Sequence, residues 1–141
     1  MKTALDTNIF SSIWMGEPSA AKVAAALEAA KLMGSLVVSP AAYSESLANP
    51  SYSEDQIHEF LRATSIAVDL PMLDTVWSEA GRRYGQYAVR RRHTAGEQPR
   101  RILADFLIGA HALLQADCLM TLDTRYYRQY FPELALYPIG E

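Results

Sequence analysis

Short runs of branched, apolar residues alternate along this chain with longer stretches whose apolar residues recur at helical spacing, and that alternation narrows the possible folds more than any other feature. Strands that alternate with helices assemble as a parallel sheet with helices packed on its faces, an α/β fold. Lys2 to Asp6 reads as a first strand, Ser35 to Ser39 as a second, Ser65 to Leu70 as a third, Cys118 to Leu122 as a fourth and Ala135 to Tyr137 as a short last one. Asp6-Thr7-Asn8 opens a helix, because short polar side chains satisfy the free N–H groups of a helix start. Pro18 begins a second helix with the stripe Val23, Leu27 and Ala30, and Gly34 stops it. Pro40 begins a third, through Glu45 to Asn49-Pro50. Ser53 and Gln56 form a capping box for a fourth, which buries Ile57, Phe60 and Leu61. From Pro71 a long helix carries Leu73, Val76, Trp77, Ala80, Tyr84 and Tyr87 and ends in arginines. His93 to Pro99 reads as an exposed loop, Ile102 to Gln115 as a strongly apolar helix and Thr124 to Tyr130 as a short one.

A length of 141 residues suits one domain spanning 1–141 with a single core. Cys118 is the only cysteine, so no internal disulfide forms, which fits a reducing compartment. No apolar run approaches the ~20 residues of a membrane span, so no membrane association is expected. In the opening Met1-Lys2-Thr3-Ala4-Leu5-Asp6 an acid stands where a secretion signal would be apolar, so a cytoplasmic location is expected. The net charge of −3 does not announce a nucleic-acid binder, but its distribution is uneven. Residues 82–101 hold seven arginines and one acid, a net +6. Arg90, Arg91, Arg92, Arg100 and Arg101 are candidates for steering nucleic-acid phosphates toward an acidic site; the alternative is a solvated helix end favoured by the helix dipole.

Four carboxylates stand out. Asp6 follows the first strand and Asp123 the fourth, equivalent positions in an open α/β sheet, where ligands bind beyond the carboxyl ends of the strands. Each admits two roles, a helix cap or a ligand-binding acid. Asp105 interrupts the apolar run Ile102 to Ala110, where a lone charge is costly unless paired or placed at the helix start; a cap or a salt bridge to Arg101 is the plain alternative. Glu45 has Ala41, Ala42, Ala48 and Asn49 as its helix neighbours, small residues that leave room for an approaching group, though a helical glutamate is commonly just solvated. Should the four converge, the clustering needs a counterion: two carboxylates ~5 Å apart at an effective dielectric of ~20 repel by ~3 kcal/mol. Oxygen-only ligands favour a hard ion such as Mg²⁺ or Mn²⁺, and carboxylate-bound ions of that kind suit in-line displacement at phosphorus.

On these residues the chain resembles the PIN-domain nucleases, in particular the VapC-type toxins of toxin–antitoxin pairs. Leu5-Asp6-Thr7-Asn8 resembles the family's first acidic motif, Tyr43-Ser44-Glu45-Ser46-Leu47 its second, Arg101 through Ala112 its third and Thr121-Leu122-Asp123-Thr124-Arg125-Tyr126-Tyr127 its fourth, followed by the family-like Tyr130-Phe131-Pro132-Glu133-Leu134. Four motifs in order across nearly the whole chain are far more specific than Asp-Thr-Asn alone. The resemblance implies a three-layer α/β/α fold with a central parallel sheet of four to five strands ordered 3-2-1-4-5. It implies that Asp6, Glu45, Asp105 and Asp123 bind Mg²⁺ or Mn²⁺, with Asn8 and Thr121 as polar helpers. It further implies an endoribonuclease that is dimeric and inhibited by a small antitoxin whose tail enters the acidic pocket. The arginine-rich stretch lies outside the motifs.

Two other readings compete. One is a PIN fold without turnover that binds RNA or a protein, against which the retention of all four acids speaks. The other is a phosphatase with Asp6 as nucleophile; enzymes resembling haloacid dehalogenases need a second acid two positions on, where Asn8 stands. His111, on an apolar helix, fits a satisfied core histidine better than a catalytic one, and no Gly-rich phosphate loop is present.

Overall fold

The computed structural model describes residues 1–93 and 100–140. Four strands, β1 (Lys2–Leu5), β2 (Ser35–Val38), β3 (Ile66–Val68) and β4 (Cys118–Met120), form one sheet in the order β3-β2-β1-β4. All three pairings are parallel, with Thr3 opposite both Leu36 and Cys118, Leu5 opposite Met120 and Val38 opposite Val68. Among the described residues seven helices accompany the sheet: α1 (Thr7–Trp14), α2 (Ala20–Met33), α3 (Pro40–Leu47), α4 (Glu54–Ala63), α5 (Asp74–His93), α6 (Leu103–Gln115) and α7 (Thr124–Tyr130). Consecutive residues of β1, β2 and β4 are buried rather than alternate ones, as a sheet covered on both faces requires. Leu36, Val37, Val38, Leu119 and Met120 form its apolar centre.

The expected order holds, and several expected ends move for identifiable reasons. The last strand shrinks to one parallel bridge between Leu119 and Leu136, held by Leu119 N–H donating to Ala135 O (2.9 Å) and Tyr137 N–H donating to Leu119 O (2.8 Å). It lies beside β4, where a fifth strand of the order 3-2-1-4-5 would stand. β3 stops at Val68 because Leu70 N–H turns back onto Val68 O (3.1 Å). β4 stops at Met120 because the next N–H groups find side-chain acceptors: Leu122 N–H bonds Asn8 Oδ1 (3.1 Å) and Asp123 N–H bonds Thr121 Oγ1 (3.0 Å). Pro18 lies in the turn before α2, and α5 begins at Asp74 rather than at Pro71. The Ser53–Gln56 capping box forms as expected, with bonds of 2.8 and 3.1 Å. Of the expected loop at 93–99, His93 closes α5 and the remainder lies outside the described residues.

Two aromatic groups set the helices. Phe10, Trp14 and Phe60 join α1 to α4. Phe106 on α6 meets Tyr84 and Tyr87 of α5, Tyr126 and Tyr130 of α7, and Phe131. Gly109, one turn on from Phe106, admits that approach: a Cβ there would lie 2.5 Å from the Phe131 ring. His111 is fully buried, with Nε2 2.8 Å from Asp69 Oδ2, which also pairs with Lys2 at 2.9 Å, and with Nδ1 lacking a partner. It is a core histidine, half satisfied, whose burial holds its pKa below the ordinary imidazole value against the opposing pull of Asp69.

Candidate active site

β1 and β4 are adjacent and parallel, so the residues that follow them emerge side by side at the carboxyl edge of the sheet. Asp6 N–H donates to Met120 O (3.0 Å), extending the ladder by one step and fixing Asp6 against the end of β4. Asp6 caps α1: Oδ1 accepts from Thr7 N–H at 2.7 Å. Oδ2 accepts from the Thr121 hydroxyl at 2.8 Å and from Asn8 Nδ2 at 3.3 Å. Asn8 also donates to Thr121 Oγ1 (3.3 Å) while its carbonyl receives Leu122 N–H. Asn8 and Thr121 thus tie the α1 start to the segment leading to Asp123. Asp6 caps α1, as the first of the two roles considered for it requires, and it is buried.

Glu45 reaches the site from α3, which packs against both α1 and α6. Its Oε1 accepts from the Thr7 hydroxyl at 2.7 Å. A groove of about 490 Å³ adjoins it, lined by Ala41, Ala48, Trp77, Leu103 and Leu107, so the small neighbours do leave space. Asp105, in the first turn of α6, accepts from Ile102 N–H at 3.1 Å through Oδ2. Asp123 stands at the start of α7 but makes no capping bond; its Oδ2 lies 2.7 Å from Arg101 Nη1. The salt bridge considered between Arg101 and Asp105 is therefore made to Asp123 instead. Arg101 precedes α6 rather than lying on its surface, and its guanidinium crosses to α7.

Electrostatics unites the four. Burial pushes Asp6 up from 3.8 to about 6, against the bonds from Thr121, Thr7 and Tyr127, and Asp105 adds repulsion. Burial likewise raises Glu45, again with repulsion from Asp105. Asp105 is raised by its own burial and by Asp123, while the Ile102 bond and Arg101 oppose the rise. Asp105 thus feels or repels each of the other three. Among the described residues, no three His, Cys, Asp or Glu side chains stand together closely enough to hold one metal ion.

Three participants were not singled out from the sequence as site residues: Thr7, Tyr126 and Tyr127. The Tyr127 hydroxyl bonds Asp6. Tyr126 is 3% exposed, its hydroxyl has no partner, and Asp105, Asp6 and Asp123 all act on it. The Arg101 guanidinium covers its ring, 4.3 Å from the centroid. Spacing held the clue, since 126 and 127 lie three and four residues beyond Asp123 on a helix and so share its face. Of the other arginines, Arg90 lies over the Tyr130 ring (5.7 Å), Arg92 and Arg100 are exposed, and Arg91 is half-buried; the ion pair with the acids belongs to Arg101.

A parallel α/β domain with electrostatically coupled acids at the carboxyl edge of adjacent strands defines the class. The PIN domain family's sequence model matches residues 3–132, and the chain belongs to that family. No curated protein matches it by sequence. Among solved structures it is similar to VapBC2 from Rickettsia felis, bound to a DNA fragment from their promoter, with a TM-score of 0.68, 17% identity, and 96% of this chain and 97% of that one covered. It is also similar to VapBC-1 from nontypeable Haemophilus influenzae, with a TM-score of 0.63, 23% identity and 96% of each chain covered. At those identities the likeness is one of fold.

Proposed function

We propose that this PIN domain is a divalent-metal-dependent endoribonuclease, the toxin of a VapC-type toxin–antitoxin pair, hydrolysing RNA phosphodiester bonds to leave a 5′-phosphate and a 3′-hydroxyl. The carrying observation is the coupling of Asp6, Glu45 and Asp123 to Asp105 at the edge of the sheet. An all-oxygen donor set in which burial raises Asp6, Glu45 and Asp105 suits a hard cation, Mg²⁺ or Mn²⁺. Asp6, Glu45, Asp105 and Asp123 are the residues that would hold it, and bound there it would neutralise charge at the scissile phosphate and acidify water. The protein's own contribution is orientation. Thr121, Asn8, Tyr127 and the Thr7 amide fix both oxygens of Asp6, and the Thr7 hydroxyl fixes Glu45. Arg90, Arg91, Arg92, Arg100 and Arg101 are the cations offered to RNA phosphates.

The same reading carries a cognate antitoxin, a homodimer and a cytoplasmic location. Its supports are the VapBC neighbours, the exposed apolar side chains Leu73, Trp77, Ile102 and Leu103, and the lack, among described residues, of a helix long and apolar enough to cross a membrane. The decisive assay incubates purified protein with RNA in Mg²⁺ or Mn²⁺, with and without EDTA, alongside Asp105→Asn. Cleavage should occur only in the uninhibited wild type and fall at least about a hundred-fold in the variant, some 2.7 kcal/mol of lost transition-state stabilisation. Equal cleavage in all three samples refutes the reading. Normal growth during strong expression of soluble protein would count against a toxin. One observation favours the second reading, an inactive RNA- or protein-binding module: Asp123 is already neutralised by Arg101. Calorimetric titration with Mn²⁺ separates the two, since a dead module need not bind it.

A further inference from the structure

Arg101 occupies the place a cation should. Its backbone is pinned, because its N–H donates to the buried Tyr87 hydroxyl at 2.7 Å. From that anchor its guanidinium runs inward to Asp123 Oδ2 at 2.7 Å and lies 4.3 Å above the Tyr126 ring. That ring belongs to a buried tyrosine whose hydroxyl has no partner and which feels the charges of Asp105, Asp6 and Asp123. Asp105 is also within electrostatic reach of Arg101. Among the described residues no three acids are grouped closely enough to hold one ion, and the positive charge at Asp123 is that of Arg101.

We propose that Arg101 is the site's exchangeable counter-cation: it neutralises Asp123 while no metal is bound, and must release that carboxylate for a divalent ion to be held by all four acids. The inference rests on the metal-dependent reading only for the identity of the competing ion. Charge explains why exchange occurs at all. One delocalised positive charge, spread over a planar fork, pairs with one carboxylate and leaves Asp105 repelling Asp6 and Glu45. A compact divalent ion can meet several at once. Charge also explains why the exchange costs affinity. The metal-competent state is a fraction of the population, and observed affinity falls by that fraction. A partly buried ion pair reinforced by stacking on an aromatic ring makes that fraction about one in five to one in ten.

The test uses the full chain and Mn²⁺ alone. Mn²⁺ binding is measured by calorimetry for wild type, Arg101→Gln and Arg101→Lys, and melting is followed with and without the ion. Arg101→Gln should bind Mn²⁺ about five- to ten-fold more tightly than wild type, with Arg101→Lys between them. Arg101→Gln should also melt lower than wild type in EDTA and recover at saturating Mn²⁺. A merely structural arginine would leave the melting deficit in place. Should Arg101→Gln not fold, the wild type decides by nitrogen-15 NMR. Slow hydrogen exchange at the Arg101 guanidinium should give way to fast exchange on saturation with Mg²⁺, and an unchanged signal overturns the proposal. Equal or weaker Mn²⁺ binding by folded Arg101→Gln overturns the exchange and leaves the nuclease reading standing, whereas no binding to any of the three overturns both.

Discussion

The raised pKa of Asp6 makes a quantitative demand on stability. In the folded protein its carboxyl titrates at about 6, against 3.8 without burial. The native state therefore holds a proton that the unfolded chain has lost throughout that window. The contribution is fully present below 3.8 and is lost as pH rises through 6, so acidification from neutrality stabilises the metal-free protein. A difference of 2.2 units corresponds to about 3 kcal/mol over the complete titration. Between pH 7.5 and 5.0 the native carboxyl gains most of a proton while the unfolded one gains almost none, and the linkage relation gives about 1.4 kcal/mol. For 141 residues that is about 5 °C in melting temperature. The assay is urea unfolding in EDTA at both pH values for wild type and Asp6→Asn. The variant loses acceptors for Thr121 and Asn8, so its absolute stability also changes. Only the change with pH is compared, because other groups also titrate: Asp105 and Glu45 shift in the same direction as Asp6, and His111, depressed by burial, opposes them by losing stability as pH falls below the ordinary imidazole value. Subtracting the variant's response leaves Asp6. Saturating Mg²⁺ should abolish the gain on acidification, because protonation then competes with the ion. Identical pH responses of wild type and Asp6→Asn in EDTA would show that burial does not perturb Asp6, and the charge argument for a cation site would lose its strongest member.

Packing supplies two further tests. Gly109→Ala should lower stability by about 1–3 kcal/mol, because its Cβ would meet the Phe131 ring; an unchanged urea midpoint would show that α6 and the Phe131 segment separate freely. Tyr126→Phe should raise stability by about 1 kcal/mol, because it removes a buried hydroxyl that has no partner; a loss of stability would reveal a hydrogen bond that the geometry does not contain.

Much of this fold was legible because periodicity and punctuation agree. Val37 and Val38, or Leu119 and Met120, cannot be solvated on either face, and Ser53 with Gln56 marks a helix start without help from the rest of the chain. What was illegible concerned side chains that replace backbone partners. Nothing local tells that Asn8 takes the N–H of Leu122, more than a hundred residues away, and so ends β4 two residues before its apolar run does. Strand ends alone placed Asp6 after β1 and Asp123 before α7, where the structure has them. The alternative of a salt bridge from Arg101 to Asp105 gives way to one with Asp123 for a physical reason: residue 101 lies before the helix, where the i,i+4 rule does not operate.

The charge balance of the site follows from its place on the ladder. Leu5 opposite Met120, with Asp6 N–H on Met120 O, leaves the Asp6 side chain nowhere to go but inward, where its charge costs about 3 kcal/mol. A fold selected for stability alone would place Asn or Ser there, either of which caps a helix as well. Glu45 and Asp105 repeat the expense, each raised by burial. Thr121, Asn8, Thr7 and Tyr127 reduce it by donating hydrogen bonds but supply no positive charge. Within the described residues, the charge that the structure brings to Asp123 comes from Arg101, on a tethered and exchangeable side chain. Under the metal-dependent reading proposed above, substitutions that relax this charge should stabilise the metal-free protein while weakening its affinity for the ion.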